Sequence, residues 1–265
     1  MPELPEVQTV VNGIKNELIG KKILNFTKFS HKLRYTINKK INIQTKNSLV
    51  KDIRRIAKYI IIELSNELSI VIHLGMSGRI ILKKYNGTKE SKHNHFIISF
   101  SDNYFLKYFD PRKFGLIDLI ETKKILGHKL FNHLGVEPLS KHFNTKKLYA
   151  ICNQKKSTIK TIIMNQKNIV GVGNIYASEA LYISRINPLK TGSELKKEQI
   201  SRLVNAIKKV LEKSIKLGGS SINDYSLVTG NLGNYQNNVR VYGRDGLKCR
   251  KKSCKSIIIR IVISN

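Results

Sequence analysis

Leu4, Val7, Val11, Ile14 and Leu18 recur every three or four positions at the head of the chain, a spacing that predicts an amphipathic helix over residues 4–18. From about residue 22 to 121 the pattern changes to short apolar runs divided by turn residues. Tyr59–Leu64, Leu68–Ile72 and His95–Phe100 are such runs; Ser65-Asn66-Glu67 and Asn86-Gly87 are such turns. Repeated short strands of this kind predict an antiparallel sandwich or barrel. Beyond about residue 140 the period becomes 3.6, and 158–166, 173–184 and 196–217 read as helices, with another around 144–153. Ile200, Leu203, Val204, Ile207, Val210, Leu211 and Ile215 form one stripe, and Gly218-Gly219 supplies its stop. A polar loop over 220–238 and a strand-like tail to Asn265 follow. The layout is a β domain, a helical domain and a short terminal element, without internal repeats.

At 265 residues with 41% hydrophobic positions, the chain can bury a core as one large domain or two modest ones, which excludes disordered, collagen-like and disulfide-scaffold classes. No apolar run approaches 18 residues, and the acidic start Met1-Pro2-Glu3-Leu4-Pro5-Glu6 does not suit a signal peptide. Three cysteines fit a reducing compartment, so the expectation is a soluble cytoplasmic protein without a membrane partner. Charge sharpens the picture. Against 48 basic residues stand only 18 acidic ones, a net charge of +30. Most of the basic residues are lysine, which a coding bias could supply, but such a bias does not explain the scarcity of acids. A polyanionic partner offsets the self-repulsion, and nucleic acid is favoured over mere solubility or an acidic membrane surface.

Five segments carry candidate chemistry. Removal of Met1 would leave Pro2 with a secondary amine, able to attack an aldehyde carbon and form a cationic iminium, an electron sink for elimination. Glu3 and Glu6, three residues apart, could shuttle its protons. Proline and glutamate are equally ordinary at a helix start, and that reading stays open. Arg54-Arg55-Ile56-Ala57-Lys58-Tyr59 is either a phosphate grip or a solvated edge. His73-Leu74-Gly75-Met76-Ser77-Gly78-Arg79 is a glycine-flanked turn that would hold Met76 outward, although methionine is more often buried. Asp110-Pro111-Arg112-Lys113-Phe114-Gly115 alternates cation and aromatic, as a duplex-opening wedge would. Gly171-Val172-Gly173-Asn174-Ile175-Tyr176 lacks a third glycine and a preceding strand, so it is no dinucleotide fingerprint, and no P-loop lysine follows. A glycine turn at a helix N-terminus still suits a phosphate.

Taken together, Pro2–Val7, Lys58, His73–Gly78, Asp110–Gly115, Gly171–Glu179 and Val241-Tyr242-Gly243-Arg244 closely resemble bacterial formamidopyrimidine-DNA glycosylase (Fpg), in order and over nearly the whole chain. The Leu4-Pro5 start favours this branch over the related endonuclease VIII. The resemblance implies an α+β multidomain fold: an N-terminal helix and two-layered β-sandwich over 1–137, a helix-two-turn-helix domain over 138–230, and, over 231–265, a remnant or truncated form of the finger in which the family holds one zinc ion. It implies excision of oxidised purines from damaged double-stranded DNA by a monomer, followed by β,δ-elimination through a Pro2 Schiff base, with no redox or nucleotide cofactor. Glu3 would be the acid assisting base loss, beside Glu6, and Lys58 a proton donor and phosphate contact. Met76, Arg112 and Phe114 would fill the gap left by the flipped nucleotide, and His93, Lys155, Asn174 and Lys160 would contact DNA.

The tail departs from the family pattern. The family's zinc finger uses two Cys-x2-Cys pairs, whereas here Cys249 and Cys254 are spaced Cys-x4-Cys, no second pair follows, and the last histidine is His142. Structural zinc takes four ligands. The finger's phosphate-binding arginine is missing as well. A DNA-binding remnant without turnover, or an endonuclease VIII-like preference for oxidised pyrimidines, are the rival readings.

Overall fold

Leu4, Val7, Val10, Val11, Ile14 and Leu18 are all buried along one side of α1 (Leu4–Leu18), the placement that the 3–4 spacing requires. Glu3 caps this helix in a reciprocal box with Glu6. In the computed structural model, residues 1–84, 92–220 and 233–263 are described; the expected turn at Asn86-Gly87 and most of the expected loop over 220–238 lie outside them. The chain divides into two compact units, Met1–Asn132 joined by Leu217–Asn234, and His133–Lys216 joined by Tyr235–Asn265.

The first unit is a two-layered antiparallel sandwich. Its elements after α1 are β1 (Ile23–Lys28), α2 (Ile41–Thr45), β2 (Val50–Ile56), β3 (Tyr59–Leu64), β4 (Leu68–His73), β5 (Arg79–Lys83), β6 (Asn94–Phe100), β7 (Phe105–Phe109) and β8 (Leu116–Glu121). One sheet has the order β1-β6-β7-β5 and the other β2-β3-β4-β8. Three of the expected strands fall within a residue or so of β3, β4 and β6. Ile60, Ile61 and Ile62 are all fully buried, so both faces of β3 are covered; α1 packs against β2 and β3 on one side. Between the sheets, Phe96 stacks flat on Tyr108 (4.9 Å between ring centres, 3° between planes) and on Phe26 at 5.2 Å.

The β2–β3 hairpin turns on two residues, Ala57 and Lys58, since Ile56 pairs with Tyr59. Ala57 adopts φ +53°, a left-handed conformation that costs a side-chain-bearing residue about 1–2 kcal/mol. Arg55 offsets this strain, donating from Nη1 to the Ala57 carbonyl (2.8 Å) and from Nε to Gln8 of α1 (3.0 Å).

The second unit contains α3 (Thr145–Cys152), α4 (Ile159–Met164), α5 (Asn174–Ser184) and α6 (Lys197–Lys216). Asn144 caps α3 and Thr158 caps α4 through their side chains. α6 buries the stripe expected of it, from Ile200 to Leu211, and packs on α5 and α3. Cys152 is buried. The strand-like tail is corrected. Its described residues form no strand and make only the isolated bridge Lys248↔Ile257. The β-branched run Ile257–Ile263, interrupted only by Arg260, favours extended backbone, but a strand needs a partner ladder, and Ile259 and Val262 remain 75% and 83% exposed.

Candidate active site

The start of α1 collects four groups singled out from the sequence. Pro2, Glu3, Glu6 and Lys58 are all buried. Glu6 Oε2 accepts the Glu3 N–H at 2.8 Å, and Glu6 Oε1 accepts the Ser220 N–H at 2.8 Å. The Ser220 approach needs glycine before it: Gly219 has φ +78°, and a Cβ there would lie 3.1 Å from Glu6 Oε1. Lys58, at the β2–β3 turn, brings its ammonium to the same carboxylates. Burial lowers its pKa, and the charges of Glu3 and Glu6 oppose that shift. A desolvated amine beside two carboxylates can take or release a proton more readily than a surface lysine.

His73, at the end of β4, has its pKa driven down to about 4, first by burial, then by the charges of Lys58 and Arg34. Its imidazole is therefore neutral at pH 7, and Nδ1 accepts the Gly75 N–H at 2.9 Å. Its ring rests 4.8 Å from that of Tyr59. These contacts set the direction of the loop that follows, in which Met76 is 43% exposed.

A second loop, Asp110–Gly115, lies against the first. Arg112 and Phe114 are exposed, with the guanidinium 4.8 Å from the centre of the Phe114 ring. A Cβ on Gly75 would meet the Gly115 nitrogen at 2.5 Å, so only glycine permits this backbone contact. The fully buried Asp110 joins the loops. Its Oδ1 accepts from the Ser77 hydroxyl (2.6 Å) and the Arg112 N–H (3.2 Å), and its Oδ2 from the Gly115 N–H (2.8 Å) and the Tyr108 hydroxyl (3.3 Å). Its main chain is held too. The Asp110 N–H donates to the His93 carbonyl at 3.0 Å, and its carbonyl accepts from His95 Nε2 at 2.6 Å, with Ser30 on the far side of that ring. His93 itself is half-buried, edge-on to Phe109. Met76, Arg112, Phe114 and His93 thus belong to one hydrogen-bonded assembly.

In the second unit, two amide side chains shape the connection from α4 to α5. Gln166 donates to the carbonyls of Met164 (2.9 Å) and Val172 (3.0 Å) and accepts the Gly171 N–H (2.8 Å). Asn168 donates to the Ile162 carbonyl and accepts from Lys155 Nζ at 3.1 Å. Asn174 is exposed at the first position of α5, and together with the half-buried Lys160 it lines a cavity of about 940 Å³ that Arg185 and Tyr242 also border. Buried Glu179 secures the segment beyond, accepting the N–H groups of Arg240, Val241 and Tyr242 at 2.8, 2.8 and 2.9 Å.

Cys249 and Cys254 lie on the tail, where Cys249 Sγ is 3.1 Å from the Tyr182 hydroxyl. Among the described residues, no group of three or more His, Cys, Asp or Glu side chains converges. Two thiols do not fit a four-ligand structural zinc site.

Sequence reasoning assigned no role to Asp110, Glu179, His73, Gln166 or Ser220. One signal was available: Glu179 is three and four residues beyond Tyr176 and Ile175, on the buried stripe of α5, where a carboxylate must find donors.

Two family models match the chain. The formamidopyrimidine-DNA glycosylase N-terminal domain covers residues 1–117, and the formamidopyrimidine-DNA glycosylase H2TH domain covers residues 134–226. Formamidopyrimidine-DNA glycosylases from Wolbachia pipientis subsp. Culex pipiens and from Rickettsia conorii are each 41% identical over 261 residues, 98% of this chain and 94% of theirs. Among solved structures, the complex of Lactococcus lactis Fpg with abasic-site DNA is similar with a TM-score of 0.91 at 33% identity, covering 99% of this chain and 95% of that one. The complex of the L. lactis wild-type Fpg with oxidised-pyrimidine DNA has a TM-score of 0.90 at 32% identity, with the same coverage.

Proposed function

The chain belongs to the formamidopyrimidine-DNA glycosylase family, and from that premise we propose that it binds damaged double-stranded DNA, excises oxidised purines and then cleaves the strand at the resulting abasic site. The observation that carries this reading is the buried cluster at the head of α1, where Pro2 and Glu3 sit on a turn held by Glu6, with the desolvated Lys58 beside them. With Met1 removed, the Pro2 amine attacks C1′ of the damaged nucleotide and the C1′–base bond breaks; with Glu3 as the acid assisting base loss and ring opening, O4′ takes up a proton, the C1′–O4′ bond opens and a C1′=N iminium is left. The iminium draws electrons from the sugar and acidifies the C2′ proton, so that elimination breaks the 3′ and then the 5′ phosphate ester. Lys58 supplies a proton and a phosphate contact. Glu6 positions the turn, since its two oxygens accept main-chain N–H groups.

Met76, Arg112 and Phe114, exposed on adjoining loops, fill the space from which the nucleotide is extruded. His93, Lys155, Lys160 and Asn174 contact the backbone of the DNA. Cys249 and Cys254 alone do not make up the four ligands of a structural zinc, and no step of this scheme passes through a metal. The L. lactis oxidised-pyrimidine complex supports a second, broader substrate range. Comparing incision of 8-oxoguanine and thymine-glycol duplexes separates the two readings.

Borohydride trapping on an abasic duplex tests the chemistry. The native chain should become covalently linked, Pro2→Gly should link weakly, and a chain with residues fused ahead of Pro2 should not link. Normal trapping by the fused chain would sink the assignment, because a peptide nitrogen cannot form an iminium.

A further inference from the structure

We propose that Asp110 is the positioning residue that makes the Met76 loop and the Arg112–Phe114 loop a single wedge, so that base extrusion, and not the sugar chemistry, depends on it. The inference rests on the wedge reading of Met76, Arg112 and Phe114 given above. Asp110 touches no substrate in this scheme. Its carboxylate is fully buried and bridges the loops through one oxygen each way: Oδ1 reaches Ser77, next to Met76, and Oδ2 reaches the N–H of Gly115, next to Phe114. The Arg112 N–H shares Oδ1 with Ser77, so the cation between the two apolar tips is fixed by the same atom.

Loop residues exposed this far would otherwise sample many positions. Prying a stacked base from a duplex needs several side chains to enter together, since each recovers part of the unstacking cost only if the others hold the gap open. A rigid joint between the loops meets that need. The Gly75–Gly115 contact keeps the backbones close, but it supplies no directional bond; Asp110 does. The Asp110 carboxylate accepts from Ser77, Tyr108, Arg112 and Gly115, groups of the two loops and of β7 rather than of the turn that carries the sugar chemistry.

The test compares Asp110→Asn and Ser77→Ala with the native chain on an 8-oxoguanine duplex, an abasic duplex, and the same lesion in a bulge where it is already unstacked. Met76→Ala and Phe114→Ala run alongside. Asp110→Asn keeps one acceptor oxygen but turns an N–H₂ toward the other donors, and should slow excision from the duplex by about 30-fold or more. Abasic cleavage should change by less than about threefold, and the bulged lesion should recover most of the lost rate. Ser77→Ala, which removes the donor to Asp110 Oδ1 and a longer acceptor contact to the Arg112 N–H (3.3 Å) while keeping the Asp110 carboxylate, should show the same selectivity at about three- to tenfold. Equal losses on all three substrates, or native rates throughout, would overturn the proposal. If Asp110→Asn does not fold, Ser77→Ala decides alone by the same criteria. If Met76→Ala and Phe114→Ala also lack selectivity, the wedge reading itself has failed; if they are selective and the Asp110 and Ser77 variants are not, only the present inference has failed.

Discussion

Glu6 Oε1 accepts the backbone N–H of Ser220 at 2.8 Å, tying the first turn of the first helix to a residue 214 positions later. The other oxygen holds Glu3. Both bonds are buried, so Glu6→Ala leaves two main-chain donors without these acceptors. It should lower the unfolding free energy by about 2–4 kcal/mol, read from urea denaturation. Glu6→Gln keeps one acceptor oxygen and should lose about half as much. A native midpoint for Glu6→Ala would show that the two bonds contribute nothing net.

The wedge side chains make a kinetic prediction. Met76→Ala or Phe114→Ala should slow lesion excision more than abasic-site cleavage, because an abasic site has no base to extrude. Arg112→Ala should weaken both. Parallel single-turnover assays on the two substrates check this, and equal losses for Met76→Ala would argue against a role in extrusion.

His73 gives the fold an acid limit. Its folded pKa of about 4 lies below the ordinary 6.5, so the unfolded chain takes up a proton that the folded one refuses. That contribution to stability is complete above about pH 6.5 and is lost as the pH falls toward 4. It amounts to at most about 3 kcal/mol, less because the ring keeps some contact with solvent. His73→Asn retains an acceptor for Gly75 without the titration, and its melting temperature should fall less steeply between pH 6.5 and 4.5 than that of the native chain.

Glu179 anchors the segment that the family motif Val241–Arg244 occupies. Glu179→Ala leaves three main-chain N–H groups without their carboxylate and should cost about 3 kcal/mol or more. Limited proteolysis should then cut between residues 235 and 250 before it cuts α5. Unchanged protection of that stretch would show that other contacts hold it.

The tail predicts indifference to chelation. Among the described residues of the tail, Cys249 and Cys254 are the only cysteine or histidine side chains, so EDTA or a stronger zinc chelator should leave the melting temperature and DNA affinity of this chain unchanged. Affinity should still fall steeply with salt, with a log–log slope of about −4.5 for five neutralised phosphates. Stoichiometric zinc by elemental analysis, with loss of stability on its removal, would refute this.

The elements that were legible in the sequence are those written by periodicity. The spacing from Leu4 to Leu18 gave α1, and the isoleucine runs gave β3, β4 and β6 almost to the residue. Motif order likewise pointed to Pro2, Lys58, Met76 and Phe114. What escaped is non-local. Nothing in the neighbourhood of Asp110 or Glu179 announces that three or four donors converge on a buried carboxylate, since those donors come from other strands and loops. The tail misled for the converse reason: Ile257–Ile263 is a β-branched run of the kind strands use, yet pairing depends on a neighbour that local pattern cannot supply.

The interleaving of the two units has a consequence for biosynthesis. Residues Leu217–Asn234 belong with Met1–Asn132, although the whole of His133–Lys216 is made between them. A ribosome therefore releases β1 to β8 long before Ser220 emerges to meet Glu6. During that interval the turn bearing Pro2 and Glu3 lacks one of its two main-chain clamps. The nascent sandwich can mature its hydrophobic interior first, while the turn at Pro2 and Glu3 reaches its final setting only when the last fifth of the chain has been translated.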